Sequence, residues 1–147
     1  MVGKAENRSK NRLKMDARYI LVINPGATST KIAVYQDNRS VFLKSIRHEC
    51  GELESFAHTT DQLDYRKKLV LDEVEANHIP FDRVGVIIAR GGLIHPIESG
   101  VYEVNQAMIT DLEKGVMGDH ASNLGGLLAN SLLKKFPNAG AYIADPV

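Results

Sequence analysis

The sequence has no tryptophan and a single cysteine, Cys50, in 147 residues. A lone cysteine cannot close an internal disulfide, so nothing points to an oxidising compartment. Net charge is also missing: 18 Lys and Arg balance 18 Asp and Glu. Without a global field, neither nucleic acid nor an anionic membrane surface is an expected partner. No apolar run approaches the roughly 20 residues that cross a bilayer. The N-terminal stretch has no apolar region of the kind that marks a secretory signal. Internal repeats and low-complexity tracts are absent too. Together these absences favour a cytoplasmic protein.

What is present is an ordinary globular composition, 44% hydrophobic and 24% charged, at a length that buries one domain's core. Residues 1–14 differ, with Lys4, Arg8, Lys10, Arg12 and Lys14 against Glu6 alone. So basic and apolar-poor a segment is expected to be a disordered tail over 1–17, with the folded domain at 18–147.

The chain is organised around Ile20–Tyr35. A short β-branched run, Ile20–Ile23, is broken by Asn24-Pro25-Gly26, and a second apolar run follows Lys31. Pro fixes φ and gives no ladder N–H, and Gly accepts unusual φ, so the unit reads as strand, tight loop, strand. Thr28, Ser29 and Thr30 bring three hydroxyls to the loop, Gly26 and Ala27 leave backbone N–H groups uncovered, and Lys31 adds charge. Small side chains, free amides and a cation suit a phosphate. This is not a Walker A loop, whose lysine opens a helix, and the same residues also make an ordinary hairpin turn.

Val41–Ile46 reads as a third strand, giving an antiparallel meander. A helical period runs from Thr60 or Asp61 to Asn77, stopped by Pro80. Val84–Ala89 is a continuous apolar run, hence a buried strand. Val101–Val104 is short and extended. Asn105 caps a helix ending near Gly115, and a further helix is expected over Leu127–Phe136, with a Gly pair before it allowing close packing on a sheet. Ala141–Ala144 is a last buried strand. The expected fold class is α/β.

Asn24, Arg90 and Asp145 then stand just beyond three buried strands, where α/β sheets gather ligand chemistry. The motifs Val22-Ile23-Asn24-Pro25-Gly26-Ala27-Thr28-Ser29-Thr30-Lys31, Ala89-Arg90-Gly91-Gly92-Leu93 with Pro96-Ile97-Glu98, Tyr102-Glu103-Val104-Asn105, Gly118-Asp119-His120-Ala121-Ser122-Asn123-Leu124-Gly125, and Ala141–Val147 occur in one order. This set resembles the acetate and butyrate kinases, most closely the butyrate kinases, within the actin/hexokinase-like superfamily. The resemblance implies a ribonuclease-H-like (actin-like ATPase) domain: a mixed sheet that starts as an antiparallel meander, with helices on both faces. It implies phosphoryl transfer between ATP and butyrate or a similar short-chain fatty acid, with Mg2+. Acetate, propionate and branched-chain acids are the alternative substrates, and a silent phosphate-binding fragment is the alternative function.

By the same resemblance, Asn24, Gly26, Thr28, Ser29 and Lys31 hold phosphate or ATP. Gly91, Gly92, Leu93 and Asn123 contact substrate. Arg90, His120 and Asp145 are catalytic, and Asp145 also holds Mg2+, directly or through water. Each has a plainer use: Asn24 capping its turn, Lys31 solvated, Arg90 paired with Glu98, His120 and Asn123 capping a helix, Asp145 ending a strand. Two departures stand out. Position 27 is Ala where the family usually has Ser. The family's second domain, with the adenosine site and further cationic residues, is not in this sequence, so a truncated chain with little activity alone is expected, with that second domain as its missing partner and a homo-oligomer left open.

Overall fold

The computed structural model describes residues 19–49 and 51–146. Cys50 and the expected basic tail at 1–17 lie outside the described residues. The β-branched runs form strands, as their pattern predicts. β1 (Tyr19–Pro25), β2 (Ser29–Gln36) and β3 (Arg39–Arg47) make the antiparallel meander. Then come α1 (Leu63–Ala76), β4 (Val84–Arg90), β5 (Val101–Glu103), α2 (Gln106–Lys114), α3 (Asn123–Leu132) and β6 (Gly140–Ala144). The six strands form one mixed sheet, ordered β3-β2-β1-β4-β6-β5. β1, β4 and β6 are parallel neighbours, because helical crossovers return the chain to the same starting end. The ends of these three strands therefore lie together at one end of the sheet.

Strand alternation sets the two faces. Leu21 and Ile23 stand in register with Val34 and Ile32 on one side and with Ile87 and Ala89 on the other. All six are buried, packed against Val70 and Val74 of α1 and Leu124, Leu128 and Leu132 of α3. Met108 and Leu112 of α2 join Ile143 and Leu127 in an adjoining cluster. The opposite face carries Ile20, Val22, Ile88 and Tyr142, partly covered, and Leu43, 73% exposed. The expected mixed sheet with helices is met: α1 and α3 cover the Leu21–Ile23 region, and α2 packs beside them on Leu127 and Ile143.

Helix ends follow local chemistry. The Asn105 side chain accepts from the Met108 N–H at 2.9 Å, and Gly115 closes α2 with φ +60°, an angle that favours glycine. α3 begins four residues before the expected Leu127 and ends at Leu132. Its glycines lie inside the helix because they pack: a Cβ on Gly125 would sit 2.6 Å from the Arg90 carbonyl oxygen. No described helix is long and apolar enough to cross a membrane.

Candidate functional site

The β1–β2 loop is a tight turn closed by the Gly26 N–H donating to Ser29 O at 2.7 Å. Three of its four carbonyls, those of Gly26, Thr28 and Ser29, are tied to the body of the domain. The His48 N–H donates to Thr28 O at 2.8 Å. Arg66 of α1, fully buried, donates from Nη2 to Gly26 O (2.8 Å) and from Nη1 to Ser29 O (3.1 Å). Ala27 and Thr28 are exposed, and their N–H groups have no partner among the described residues. A turn with carbonyls tied back and amides free presents positive partial charge outward.

Thr30, read from sequence as a third hydroxyl in this loop, does not face outward. It is 0% exposed, accepts from Arg66 Nη1 at 3.1 Å and bonds His48 Nε2 at 2.8 Å. Alternation along β2 turns Thr30 to the core and Lys31 away from it. Tyr65 Oη gives its proton to Glu52 (3.0 Å) and so accepts from His48 Nδ1 (3.3 Å), which in the neutral ring leaves Nε2 to accept the Thr30 proton. Burial first, and the Arg66 charge second, hold His48 below its usual pKa, so the neutral ring fits this relay. Burial and Glu52 push Tyr65 up.

Across the sheet end, Lys31 pairs with Asn24, and Arg90 pairs with Ala144. Asn24 and Arg90 each lie one residue beyond the Ile23–Ala89 pair. Lys31, Asn24 and Arg90 therefore form a row on the face away from the helices. Arg90 is exposed and makes no ion pair among the described residues; Glu98 is not its partner.

The third part of the site is a wall of close backbone contacts. The Gly91 N–H donates to Ala144 O at 2.7 Å, and a Cβ on Gly91 would overlap Pro146. A Cβ on Gly92 would lie 2.9 Å from Asn123 Cα. Both glycines are buried, and their lack of a side chain lets backbone meet backbone here. Asn123 belongs to the same wall. It is 1% exposed, its Oδ1 accepts from the Leu93 N–H (2.9 Å) and its Nδ2 donates to Gly118 O (2.8 Å). That amide ties two loops together. Leu93 itself is half-buried against Gly118.

His120 and Asp145 stay available. His120 Nδ1 accepts from the Ser122 N–H at 3.1 Å and meets Ser122 Oγ at 2.8 Å. A nitrogen that accepts cannot carry the proton of the neutral ring, so Nε2 does, and His120 is exposed. Asp145 adopts φ +50°, in the left-handed region. Its N–H donates to Gly100 O (2.8 Å) and its Oδ1 accepts from the Gly100 N–H (3.1 Å), leaving Oδ2 unpaired among the described residues. No group of three or more His, Cys, Asp or Glu is gathered for a metal among the described residues. One free carboxylate oxygen fits Mg2+, which takes one or two carboxylates and keeps its waters.

Sequence reasoning missed Arg66, His48, Gln62 and Tyr65. A signal was present: Arg66 lies four residues before Val70 and eight before Val74, on the stripe that the helical period buries. A cation on that stripe marks a polar assembly inside the fold.

No family model matches the chain. It is 47% identical over 128 residues to Butyrate kinase 1 of Clostridium acetobutylicum, covering 87% of this chain and 36% of that protein. It is 50% identical over 127 residues to a probable butyrate kinase of Bacteroides thetaiotaomicron, covering 86% and 35%. The chain thus spans about a third of the length of these relatives. Among solved structures, an acetate kinase from Porphyromonas gingivalis aligns with TM-score 0.55 at 13% identity, covering 86% of this chain and 36% of that one. A propionate kinase from Francisella tularensis aligns with TM-score 0.51 at 15% identity, again covering 86% and 36%. Over most of its length, then, the chain is similar in sequence to part of the butyrate kinases, and its mixed sheet shares the fold of the matched third of acetate and propionate kinases.

Proposed function

We propose that this chain carries the phosphate-handling part of a short-chain carboxylate kinase of the butyrate kinase type. A carboxylate oxygen attacks the γ-phosphorus of ATP, the bond from that phosphorus to the bridging oxygen breaks, and ADP leaves with the electron pair. No proton has to move, so catalysis is positioning and charge neutralisation. The free amides of Ala27 and Thr28, with the Thr28 and Ser29 hydroxyls and the Asn24 amide, hold phosphate oxygens. Lys31 adds positive charge at the strand end. Arg90, exposed and without an ion pair among the described residues, grips the carboxylate or the moving phosphoryl group. His120 donates its Nε2–H to phosphoryl oxygens. Asp145 would hold Mg2+, directly or through water, and the ion would supply neutralisation of phosphate charge. An ATP-dependent reaction of this kind suits the cytoplasm.

The observation that carries this reading is the 47% identity to a butyrate kinase over 128 of 147 residues, a span long enough to include the hairpin, Arg90 and His120. The adenosine site and further cationic groups belong to the parts of such kinases that this chain does not match, so the chain alone is expected to turn over little substrate.

The test is a chimera in which this chain replaces the matched segment of Butyrate kinase 1 of Clostridium acetobutylicum. Acyl phosphate is trapped as hydroxamate with acetate, propionate, butyrate and branched acids in turn. Butyryl hydroxamate should form, and Arg90→Gln should lower kcat/KM by about a hundredfold or more. A folded chimera inert toward every acid overturns the reading.

A further inference from the structure

We propose that Arg66 is the positioning residue of the phosphate hairpin, fixing the turn so that its free amides meet an anion, and placing an uncompensated positive charge behind them. This rests on the hairpin's reading as a phosphate loop.

All five N–H groups of the Arg66 guanidinium are occupied, and every acceptor is neutral. Nε and Nη2 donate to Gln62 Oε1 (3.0 and 2.8 Å). Nη2 also donates to Gly26 O (2.8 Å), and Nη1 to Ser29 O and Thr30 Oγ1 (both 3.1 Å). The side chain is 0% exposed and has no ion pair among the described residues. Burial draws its pKa down, but a guanidinium remains protonated at neutral pH. A buried cation with no carboxylate is costly even when every N–H is bonded, so its charge at this place calls for a use.

Geometry supplies the use. Arg66 takes the carbonyls at both ends of the turn, Gly26 and Ser29, while the His48 backbone N–H takes one of the two between, Thr28. With these turned inward, the Ala27 and Thr28 N–H groups are left on the exposed side. The fork of Arg66 spans two carbonyls at once, which a lysine ammonium on a flexible stem cannot do with the same angles. Thr30 and His48 continue the brace toward Tyr65 and Glu52. Arg66 does not touch the ligand; it acts through the turn.

The test is titration of the full 147-residue chain with inorganic phosphate and with pyrophosphate, followed by amide NMR. Hydrogen exchange of the Gly26 amide in the free protein is measured alongside. In the wild type, the Ala27 and Thr28 amides should shift on titration. Arg66→Lys keeps the charge and loses the fork. It should weaken phosphate binding about tenfold and speed exchange at Gly26, whose N–H bonds Ser29 O. Thr30→Val preserves shape, and because Thr30 is fully buried it cannot lose a contact with ligand. It should weaken binding about threefold, and it keeps the test alive if the lysine variant does not fold. Wild-type affinity in a folded variant overturns the proposal while leaving the phosphate loop standing. No shift at Ala27 and Thr28 in the wild type overturns the phosphate reading, and the proposal with it.

Discussion

The hairpin and the wall opposite it are held in contrasting ways. The hairpin is braced by polar groups: one buried guanidinium, one backbone amide and a relay through Thr30 and His48. The wall is set by missing side chains, since Gly91, Gly92 and Gly125 let the β4 end meet Pro146, Asn123 and α3 directly. Polar bracing is directional and fails one bond at a time, each worth about 0.5–1.5 kcal/mol net. Backbone against backbone has no rotamer to yield, so it fails all at once. The difference suits the two tasks proposed: the hairpin orients amides, while the wall keeps Arg90, His120 and Asp145 at fixed spacing.

Breaking the wall should therefore give the largest effect. Gly125→Val forces a branched side chain into a gap where even a Cβ lies 2.6 Å from Arg90 O and 3.0 Å from the Ala89 Cβ. It should cost about 3 kcal/mol or more, seen as a fall in Tm of about 10 °C by circular dichroism. Gly125→Ala should fall the same way by less, and a Tm within a degree of wild type would mean that the wall is not sterically set. Asn123→Leu comes next. It keeps the volume but orphans the Leu93 N–H and Gly118 O, at about 2 kcal/mol. Chemical denaturation should show an unchanged slope and an earlier midpoint.

The hairpin's brace should respond to pH where the wall does not. His48 is held below 6.5 by burial and by Arg66. As pH falls through 6.5 the unfolded chain takes up a proton at this ring and the folded chain resists it. Stability therefore falls on acidification in that window and levels off below the folded pKa. Melting curves between pH 8 and 5 should show a loss in wild type that His48→Gln reduces. Equal pH dependence in both proteins would put the acid sensitivity elsewhere.

Strand and turn chemistry made the meander, the buried run at Val84–Ala89 and the Asn105 cap readable, because short apolar runs and Asx caps are local properties. The wall was only half readable. Gly125 and Gly126 looked like the approach to a helix because glycine disfavours helices, yet they lie inside α3, where contact with Arg90 and Leu112 outweighs propensity. Asn123 belongs to a motif whose resemblance implies substrate contact, and only tertiary contact reveals that its amide bridges Leu93 and Gly118. Arg66 is the opposite case: its burial follows from the helical period, but its partners Gly26, Ser29 and Thr30 are more than thirty-five residues away in sequence. No local rule reports a bond at that separation.

The smallest expected effect is the sharpest test of how the hairpin holds an anion. Ala27 is exposed and bonded to nothing among the described residues, so Ala27→Ser should change stability by no more than about 0.5 kcal/mol. A hydroxyl there joins the free amides of the turn and offers phosphate one more donor. Phosphate affinity of this chain should tighten about threefold, and in the chimera the KM for ATP should drop with kcat nearly unchanged, the mark of binding shared by ground and transition states. If neither moves, the side chain at position 27 is turned from the anion, and the amides held open by Arg66 do the work alone. If kcat rises as well, the hairpin contacts the phosphoryl group as it transfers, and its brace belongs to the chemistry as much as to binding.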